Sequence, residues 1–346
     1  MNFKSDNTAP AAPEVLAALA RVNDGAAGNY GDDHVTDRLK AKLSALFEKE
    51  VAVFPVATGT AANALSLATL TPPHGTVFCH EGAHIHVDEC GAPEFYSQGA
   101  KLVPLKGAHG KITPDAVRAA LAHHQRGVVH HTQPSAISLT QATELGTCYT
   151  PAEMAALSHF AKAERLALHM DGARFANAIA HLKCSAAEAT WKAGVDVLSF
   201  GFTKNGAMAA EAVIFFDPAH AADIAYRRKR AGHLFSKMRY LSAQIEAMLD
   251  GGLWLKLAGH ANAMAARLAE GLRPLKNIAL ENPVEANELF VRLPSIAAQQ
   301  ALESAGAKFY EWEPPTEGRP LIRLVCAFST TPSEVDAFLA AARKVG

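Results

Sequence analysis

Seven short apolar runs alternate with alanine-rich helical patterns between residues 51 and 216, and this alternation limits the possible folds more than any other feature. The predicted strands span residues 51–56, 76–80, 101–105, 127–132, 166–171, 196–202 and 211–216. Strands separated by helices predict a mainly parallel sheet that is covered by helices on both faces. Ligands of such sheets bind beyond the carboxyl ends of the strands.

Capping signals mark several helices of this region. Thr113-Pro114 is expected to open a helix that runs to about His124. Thr150-Pro151 is expected to open another, in which Glu153 completes a Thr-x-x-Glu capping box. A helix is also predicted at residues 13–21, and a further helix ends at about residue 50.

Beyond residue 216 the pattern becomes helical and then α+β. Helices are predicted at residues 221–229, 236–249 and 253–272, followed by strands at 288–293, 308–312 and 321–327, helices at 295–305 and 332–344, and a turn at 313–318. The fold class is therefore α/β, with a mainly parallel seven-stranded sheet in a large domain and a smaller carboxyl-terminal α+β domain. We expect an amino-terminal arm with helices at residues 1–50, the large domain at 51–250, and a linking helix with the small domain at 251–346.

Two of the predicted strands end in side chains of opposite charge. The run that begins at Asp196 ends at Lys204, and the run that begins at Leu166 ends at Asp171, with Arg174 close behind. A lysine can form a Schiff base with an aldehyde cofactor, and an aspartate can pair with a pyridinium nitrogen. Although such strand-terminal charges are often merely solvated, the pairing indicates an enzyme that uses pyridoxal phosphate in the large domain.

A third element supports this interpretation. The segment Thr58-Gly59-Thr60 follows a predicted strand and precedes a helical pattern. Gly59 lets a ligand approach the backbone closely, Thr60 offers a hydroxyl, and the free N–H groups of a helix N-terminus favour a phosphate. An ordinary helix cap could have the same sequence, so this segment indicates a phosphate site only in combination with Lys204 and Asp171.

Composition narrows the choice of partners and compartment. The 346 residues carry 33 basic and 34 acidic side chains, which gives no overall charge for binding nucleic acid or an anionic membrane. The five cysteines are scattered without Cys-x-x-Cys spacing and are expected to be reduced thiols. Because neither a signal peptide nor a membrane-spanning run is visible, the expected location is the cytoplasm.

Over nearly its whole length the sequence resembles the low-specificity L-threonine aldolases, a group within the fold-type-I pyridoxal-phosphate enzymes and the beta-eliminating lyases. The resemblance rests on motifs that occur in family order: Ser5-Asp6-Asn-Thr, Asn29-Tyr30-Gly31-Asp32-Asp33, Thr58-Gly59-Thr60-Ala-Ala-Asn63, Ala83-His84-Ile85, His169-Met-Asp171-Gly172-Ala173-Arg174, Ser199-Phe-Gly-Phe-Thr-Lys204 and Ile322-Arg323.

The resemblance implies a role for each cofactor-binding residue. Lys204 would hold pyridoxal 5'-phosphate covalently, Asp171 would pair with its ring nitrogen, and His84 would stack on its ring. Its phosphate would be bound by residues at the third element and at two later basic positions, which are Gly59, Thr60, Lys229 and Arg239.

The resemblance also implies how the substrate is held. Ser5, Arg174 and Arg323 would bind the amino-acid carboxylate, for which a planar guanidinium is suited. Tyr30 would reach the site from a neighbouring subunit, so the expected assembly is a homodimer at least, and a homotetramer by resemblance to the family. The substrate would be a β-hydroxy-α-amino acid such as L-threonine or L-allo-threonine, cleaved to glycine and an aldehyde.

The sequence departs from the family where many members carry a histidine near the substrate hydroxyl. This chain has Thr143 at that position, within Thr140–Glu144. The proton acceptor could be His84, His86, His130 or His131, or an ordered water. Of these we favour His84.

Two alternatives remain open from the sequence. Aminotransferases and β-eliminating lyases share this fold and the Asp–Lys pair, so the fold does not choose between the reactions. A metal-dependent hydrolase could be built on the cluster of His80, His84 and His86. His84 and His86 are spaced to share one face of a strand, but the pattern fixes no third ligand beside that pair. We expect no metal in the pyridoxal-phosphate interpretation.

Overall fold

Seven strands form the main sheet of the computed structural model, which describes residues 1–346. They are β1 (Ala52–Val56), β2 (Gly75–His80), β3 (Lys101–Leu105), β4 (Gln133–Thr140), β5 (Ala167–Gly172), β6 (Val197–Gly201) and β7 (Glu211–Phe215). Their order in the sheet is β1-β7-β6-β5-β4-β2-β3, and β7 alone runs in the opposite direction to the other six strands. The expected mainly parallel seven-stranded sheet is confirmed.

Helices cover the sheet and lead away from it. They are α1 (Pro13–Val22), α2 (His34–Leu46), α3 (Gly59–Leu70), α4 (His84–Val87), α5 (Ala92–Tyr96), α6 (Pro114–Leu121), α7 (Pro151–Ala163), α8 (Phe175–Leu182), α9 (Ile224–Arg230), α10 (Arg239–Leu249) and α11 (Leu253–Leu272). Thr113 caps α6 by accepting a hydrogen bond from the Ala116 N–H, and Thr150 and Glu153 form the expected capping box of α7. No helix combines the length and apolar character needed to cross a bilayer.

A smaller antiparallel sheet follows α11. Its strands, in the order β10-β11-β9-β8, are β8 (Ala279–Leu280), β9 (Glu288–Arg292), β10 (Tyr310–Thr316) and β11 (Arg319–Val325), and α12 (Ile296–Ser304) and α13 (Pro332–Ala342) pack beside it. The amino terminus joins this unit, because the Phe3 N–H donates to the Lys308 carbonyl (2.8 Å) and the Phe3 ring packs on Phe338. The chain then crosses to the main sheet, where the Ala12 N–H donates to the Gly206 carbonyl (2.8 Å).

Aromatic side chains fix the strand that leads to Lys204. The Phe200 ring on β6 lies with its centroid 4.2–6.1 Å from those of Phe47, Phe175, Phe202 and Trp254. Such rings bury large apolar areas and prefer edge-to-face contacts, so they hold one end of β6 rigidly. The carboxyl end of β6 is therefore a firm base for the turn that follows.

Two local predictions were wrong. The strand predicted at 127–132 is a series of turns with Gly127 at φ +78° and Val129 almost fully exposed, and the strand is β4 instead. β4 contains Pro134 near its start, where the pairing with β2 shifts register, and a strand tolerates proline at such an irregularity. The turn predicted at 313–318 is mostly strand, because β10 is an edge strand and tolerates proline.

Gly201, the last residue of β6, allows a close approach to the chain after β5. A Cβ at Gly201 would lie 2.6 Å from the Ala173 carbonyl oxygen. Because that neighbour is backbone, we expect Gly201→Ala to destabilise the protein by about 2 kcal/mol. The matched control is Gly259→Ala in α11, where a Cβ meets no atom within 4 Å and should stabilise by about 0.5–1 kcal/mol. Calorimetric melting of both variants measures this, and equal melting temperatures would contradict it.

Candidate active site

A cavity of about 340 Å³ lies at the carboxyl ends of β5 and β6. It brings together Gly59, Thr60, His84, Asp171 and Lys204, five of the residues that the sequence singled out. The other lining residues are Asn7, Ala57, Thr58, Asn63, Glu89, Ala173, Thr203, Ala209 and Glu211. A cavity of about 400 Å³ between α1 and α10 contains only one of the predicted residues, Arg239.

The N-terminus of α3 forms one wall. Thr58 caps the helix by accepting a hydrogen bond from the Ala61 N–H (3.1 Å), which leaves the Gly59 and Thr60 N–H groups without partners inside the helix. A Cβ on Gly59 would meet no protein atom within 4 Å. This wall therefore offers N–H donors, a hydroxyl and free space to an anionic group.

Asp171 is buried at the end of β5 and is held from both sides. Its Oδ1 accepts a hydrogen bond from the Ala173 N–H (3.0 Å), and its Oδ2 accepts one from Asn63 Nδ2 (2.8 Å). Asn63 also donates to Glu89 Oε1 (2.9 Å). The carboxylate orientation is thus fixed by the fold rather than by solvent.

His84 is the next member of this network. Its Nδ1 lies 2.9 Å from Glu89 Oε1, and this hydrogen bond raises the pKa of His84 against the opposing effect of burial. Burial raises the pKa of Glu89, while the bond from His84 lowers it. The Nδ1 contact leaves Nε2 as the ring nitrogen free for chemistry.

Two buried polar atoms of the network have no hydrogen-bond partner within the chain. They are Asn63 Oδ1 and Glu89 Oε2, and both residues line the cavity. Buried polar atoms are normally paired, so these two indicate polar groups of a bound ligand or water. With the α3 wall, they show that the cavity fits a polar, phosphorylated molecule.

His169 lies beneath Asp171 on the same strand. Its two ring nitrogens are 2.9 Å from Ser138 Oγ and Ser199 Oγ, and complete burial lowers its pKa to about 3. A neutral imidazole therefore bridges β4, β5 and β6 below the cavity, as a support of the Asp171 strand.

The two predicted carboxylate-binding arginines lie at the border with the small sheet. Arg174 is buried and donates through Nε and Nη2 to Asp6 at 2.8 and 3.1 Å. Glu288 Oε1 lies 3.1 Å from Arg174 Nη2 and 3.7 Å from Arg323 Nη1, as ion-pair contacts, and it has no hydrogen-bond partner. Burial raises the pKa of Glu288, and the two guanidinium charges lower it. Ser5 precedes Asp6 and accepts a hydrogen bond from the Asn7 N–H.

Ser5, Arg174 and Arg323 do not line the cavity, and three further predicted residues also lie away from the cavity of their own chain. Tyr30 is 45% exposed, and the Lys229 ammonium lies 4.8 Å from its ring centroid. Arg239 donates to the Gly25 carbonyl at 3.1 Å. None of the three lines the cavity, so their predicted contacts with the cofactor or substrate are not made within one chain.

Thr143 does not face the cavity. It is fully buried, and its hydroxyl lies 2.9 Å from Thr147 Oγ1 and 3.2 Å from the His109 carbonyl. The neighbouring Glu144 lines an adjoining cavity of about 260 Å³ with Ala83 and Trp312. The Thr143 hydroxyl at the family histidine position thus holds a loop together in this chain.

The histidines proposed as metal ligands are engaged elsewhere. His80 Nε2 contacts the Gly107 carbonyl (2.9 Å), and its Nδ1 accepts from the Gly82 N–H (3.0 Å). His84 is bonded to Glu89, and His86 is exposed. No three His, Cys, Asp or Glu side chains are grouped so that they could share a metal ion.

Sequence reasoning missed five polar residues of this region: Asp6, Asn63, Glu89, Glu211 and Glu288. Asp6 and Asn63 lie inside motifs that were quoted for other positions. Glu288 and Glu211 each begin a strand, and an acidic residue inside an otherwise apolar run was the available signal. Glu89 belongs to the histidine-rich stretch that was considered as a metal site, and its pairing with His84 and Asn63 was not foreseen.

The chain matches the family model described as "Beta-eliminating lyase" over residues 2–295. It is 43% identical to the low specificity L-threonine aldolase of Pseudomonas sp. (strain NCIMB 10558), with 99% of this chain and 97% of that protein covered. It is 45% identical to the low specificity L-threonine aldolase of Pseudomonas aeruginosa, with 95% and 93% covered.

Solved structures show the same fold. The Leishmania major threonine aldolase superposes with a TM-score of 0.93 at 28% identity, covering 100% of this chain and 99% of that one. The serine palmitoyltransferase of Sphingomonas wittichii superposes with a TM-score of 0.74 at 16% identity, covering 100% and 88%. At that lower identity the likeness establishes only the fold.

The buried His169 predicts a loss of stability in acid. The unfolded chain binds a proton at this residue below about pH 6.5, whereas the folded chain does so only near pH 3. Stability is therefore fully present above pH 6.5 and falls as the pH is lowered, by about 2 kcal/mol at pH 5 through this group. Urea unfolding of wild type and His169→Gln at pH 7 and pH 5 measures it. An equal pH effect in both proteins would contradict the assignment.

Proposed function

The chain belongs to the low-specificity L-threonine aldolase family of the beta-eliminating lyases, and from this premise we propose that it is a pyridoxal-phosphate-dependent carbon–carbon lyase. Its proposed substrates are L-threonine, L-allo-threonine and related β-hydroxy-α-amino acids, which it cleaves to glycine and an aldehyde. One observation carries the proposal most directly: Lys204, Asp171 and the N-terminus of α3 face one cavity.

The cavity residues fit this cofactor. Gly59, Thr60 and the α3 N-terminus would bind the phosphate, Asp171 the ring nitrogen, and Lys204 the aldehyde carbon, with His84 against the ring. When bound, pyridoxal phosphate supplies a sink for the electron pair left on Cα as the Cα–Cβ bond breaks. Asn63 and Ala173 hold the Asp171 carboxylate in a fixed orientation, so it would need no reorientation to pair with the ring nitrogen.

The substrate carboxylate would be bound at the arginine end of the site. Asp6 occupies the Nε and Nη2 edge of Arg174, which orients the guanidinium and leaves Nη1 as a donor. Arg323 stacks on the rings of Tyr310 and Trp312, with its charge near Glu288. Together with Ser5, these two arginines would place the amino acid with Cβ toward His84.

His84 would accept the proton of the β-hydroxyl group. Its Nδ1 is bound to Glu89, and a carboxylate in that position makes the imidazole a stronger base. Only the unprotonated imidazole can accept the proton through Nε2. Because Thr143 is turned away from the cavity, His84 takes both the ring-stacking and the proton-accepting role in this proposal.

Assembly, location and domain limits are further parts of the proposal. We propose a homodimer at least, expected as a homotetramer, in which Tyr30 and the adjacent Lys229 reach a neighbouring subunit's site. Arg239 is retained as a phosphate contact by resemblance alone. The five unpaired cysteines support a cytoplasmic location. The proposed division at residue 250 is supported by the separate apolar core around the small sheet. The division at residue 50 has no such support, because Val15, Leu39 and Phe47 share the core of the main sheet.

The test follows cofactor and products in one sample. Purified wild type should show the visible absorbance of lysine-bound pyridoxal phosphate and release glycine and acetaldehyde from L-threonine. Lys204→Ala should lose that absorbance and at least a thousandfold in rate, because lysine is the covalent attachment point. The matched control, Lys256→Ala on the exposed face of α11, should match wild type.

The products separate the rival reactions. Ammonia with a keto acid would show elimination, and conversion of the cofactor to its pyridoxamine form would show transamination. Either result in wild type, or full aldolase activity in Lys204→Ala, would contradict the proposed function.

A further inference from the structure

Glu211 is a buried acid that the proposed reaction does not use. It is 6% exposed and lines the same cavity as Lys204. Since β7 is the one antiparallel strand of the main sheet, its first residue lies at the edge where the parallel strands end, with Glu211 opposite Gly201. The topology therefore places the Glu211 carboxyl group at the sheet edge where Asp171 and Lys204 lie.

The carboxyl group holds the turn that carries Lys204. Glu211 Oε2 accepts a hydrogen bond from the Phe202 N–H at 2.9 Å. The preceding residue contributes as well, since the Ala210 N–H donates to Thr203 Oγ1 at 3.2 Å. Glu211 and the residue before it thus form hydrogen bonds with the two residues immediately before Lys204.

Backbone support alone does not explain a carboxylate at this position. A glutamine would accept the same hydrogen bond without the cost of burying a charge, so the site gains little stability from an acid. Burial raises the pKa of Glu211 to about 7, although hydrogen bonds from Thr203 and Phe202 and the charge of Lys204 lower it. The group can therefore gain or lose a proton near neutral pH.

Lys204 is the cation among the ionisable groups that share this cavity with Glu211. The others are His84, which is paired with Glu89, and Asp171, which is held by Asn63 and Ala173. Those groups already have partners, whereas Lys204 makes no side-chain hydrogen bond or ion pair within the chain. Asp6 is a further acid whose charge interacts with that of Lys204, but it is paired with Arg174. Glu211 is thus the remaining acid that can balance the charge of Lys204.

We propose that Glu211 is a positioning residue for Lys204, which fixes its turn and stabilises positive charge on its side-chain nitrogen while the cofactor is attached. This inference rests on the proposed function, because it concerns the lysine that holds pyridoxal phosphate. It adds an acid on the β7 side of the site to the residues that the family motifs supply.

The test is a pH titration of the visible absorbance of the cofactor-loaded enzyme. In Glu211→Gln the nitrogen of Lys204 loses a neighbouring negative charge, so the midpoint of the titration should move to lower pH by about one unit or more. We also expect kcat to fall several-fold while KM for L-threonine stays within about twofold, since the change does not touch the arginine end.

A matched control separates the effect of the Glu211 charge from the effect of losing a buried carboxylate that supports the backbone. Asp196 is a partly buried carboxylate at the opposite end of β6, and its Oδ2 accepts a hydrogen bond from the Leu168 N–H (2.7 Å). Asp196→Asn should lower the melting temperature and leave the midpoint unchanged. If Glu211→Gln does not bind the cofactor, Glu211→Asp provides the test, because it keeps the negative charge but moves it away from the Phe202 N–H. For Glu211→Asp we expect the wild-type midpoint and a reduced kcat.

The inference is overturned if Glu211→Gln titrates as wild type does, or if Glu211→Asp shows an altered midpoint at wild-type kcat. These outcomes differ from a failure of the proposed function, which would appear as wild type without visible absorbance or without glycine and acetaldehyde as products.

Discussion

A buried cluster of charges joins the parts of the chain on which the site depends. Arg174 follows β5 of the main sheet, Asp6 belongs to the amino-terminal arm, and Glu288 begins β9 of the small sheet. Removing one partner of a buried ion pair typically costs about 3–5 kcal/mol, so these segments are held in one arrangement. The arm and the small sheet therefore meet the main sheet beside the carboxyl ends of β5 and β6, where we propose that the substrate binds.

Charge is distributed along the site in a way that suits an amino acid. The arginines lie at the end where the arm and the small sheet meet, and we propose that they bind the substrate carboxylate there. The Asp171, Asn63 and Glu89 network lies at the other end and holds its acids in fixed hydrogen bonds. Between them Lys204 stands on a turn between β6 and β7, beside Glu211. Preorganised groups of this kind act without reorganisation when charge develops in the reaction.

The sequence predicted the main sheet and its catalytic edge because both follow from local patterns. Alternating strands and helices indicate a parallel sheet, and Asp171 and Lys204 each end an apolar run, so their convergence could be foreseen. The start of β4 could not be predicted, since proline is unusual in a strand and Pro134 is accommodated only by a register shift in the pairing with β2. The partners of Arg174 were also invisible, because Asp6 and Glu288 meet it across more than a hundred residues of sequence. The same holds for Thr143, whose bonds to the loop at His109 only the folded chain reveals.

The central claim is that Lys204 is the covalent attachment point of pyridoxal phosphate. Borohydride reduction of the cofactor-loaded protein fixes the linkage, and mass spectrometry of its peptides then locates the modified residue. The account predicts a single stoichiometric modification on Lys204, in the peptide that also contains Phe202 and Thr203. Stoichiometric modification of a different lysine, or none in a fully active enzyme, would contradict it.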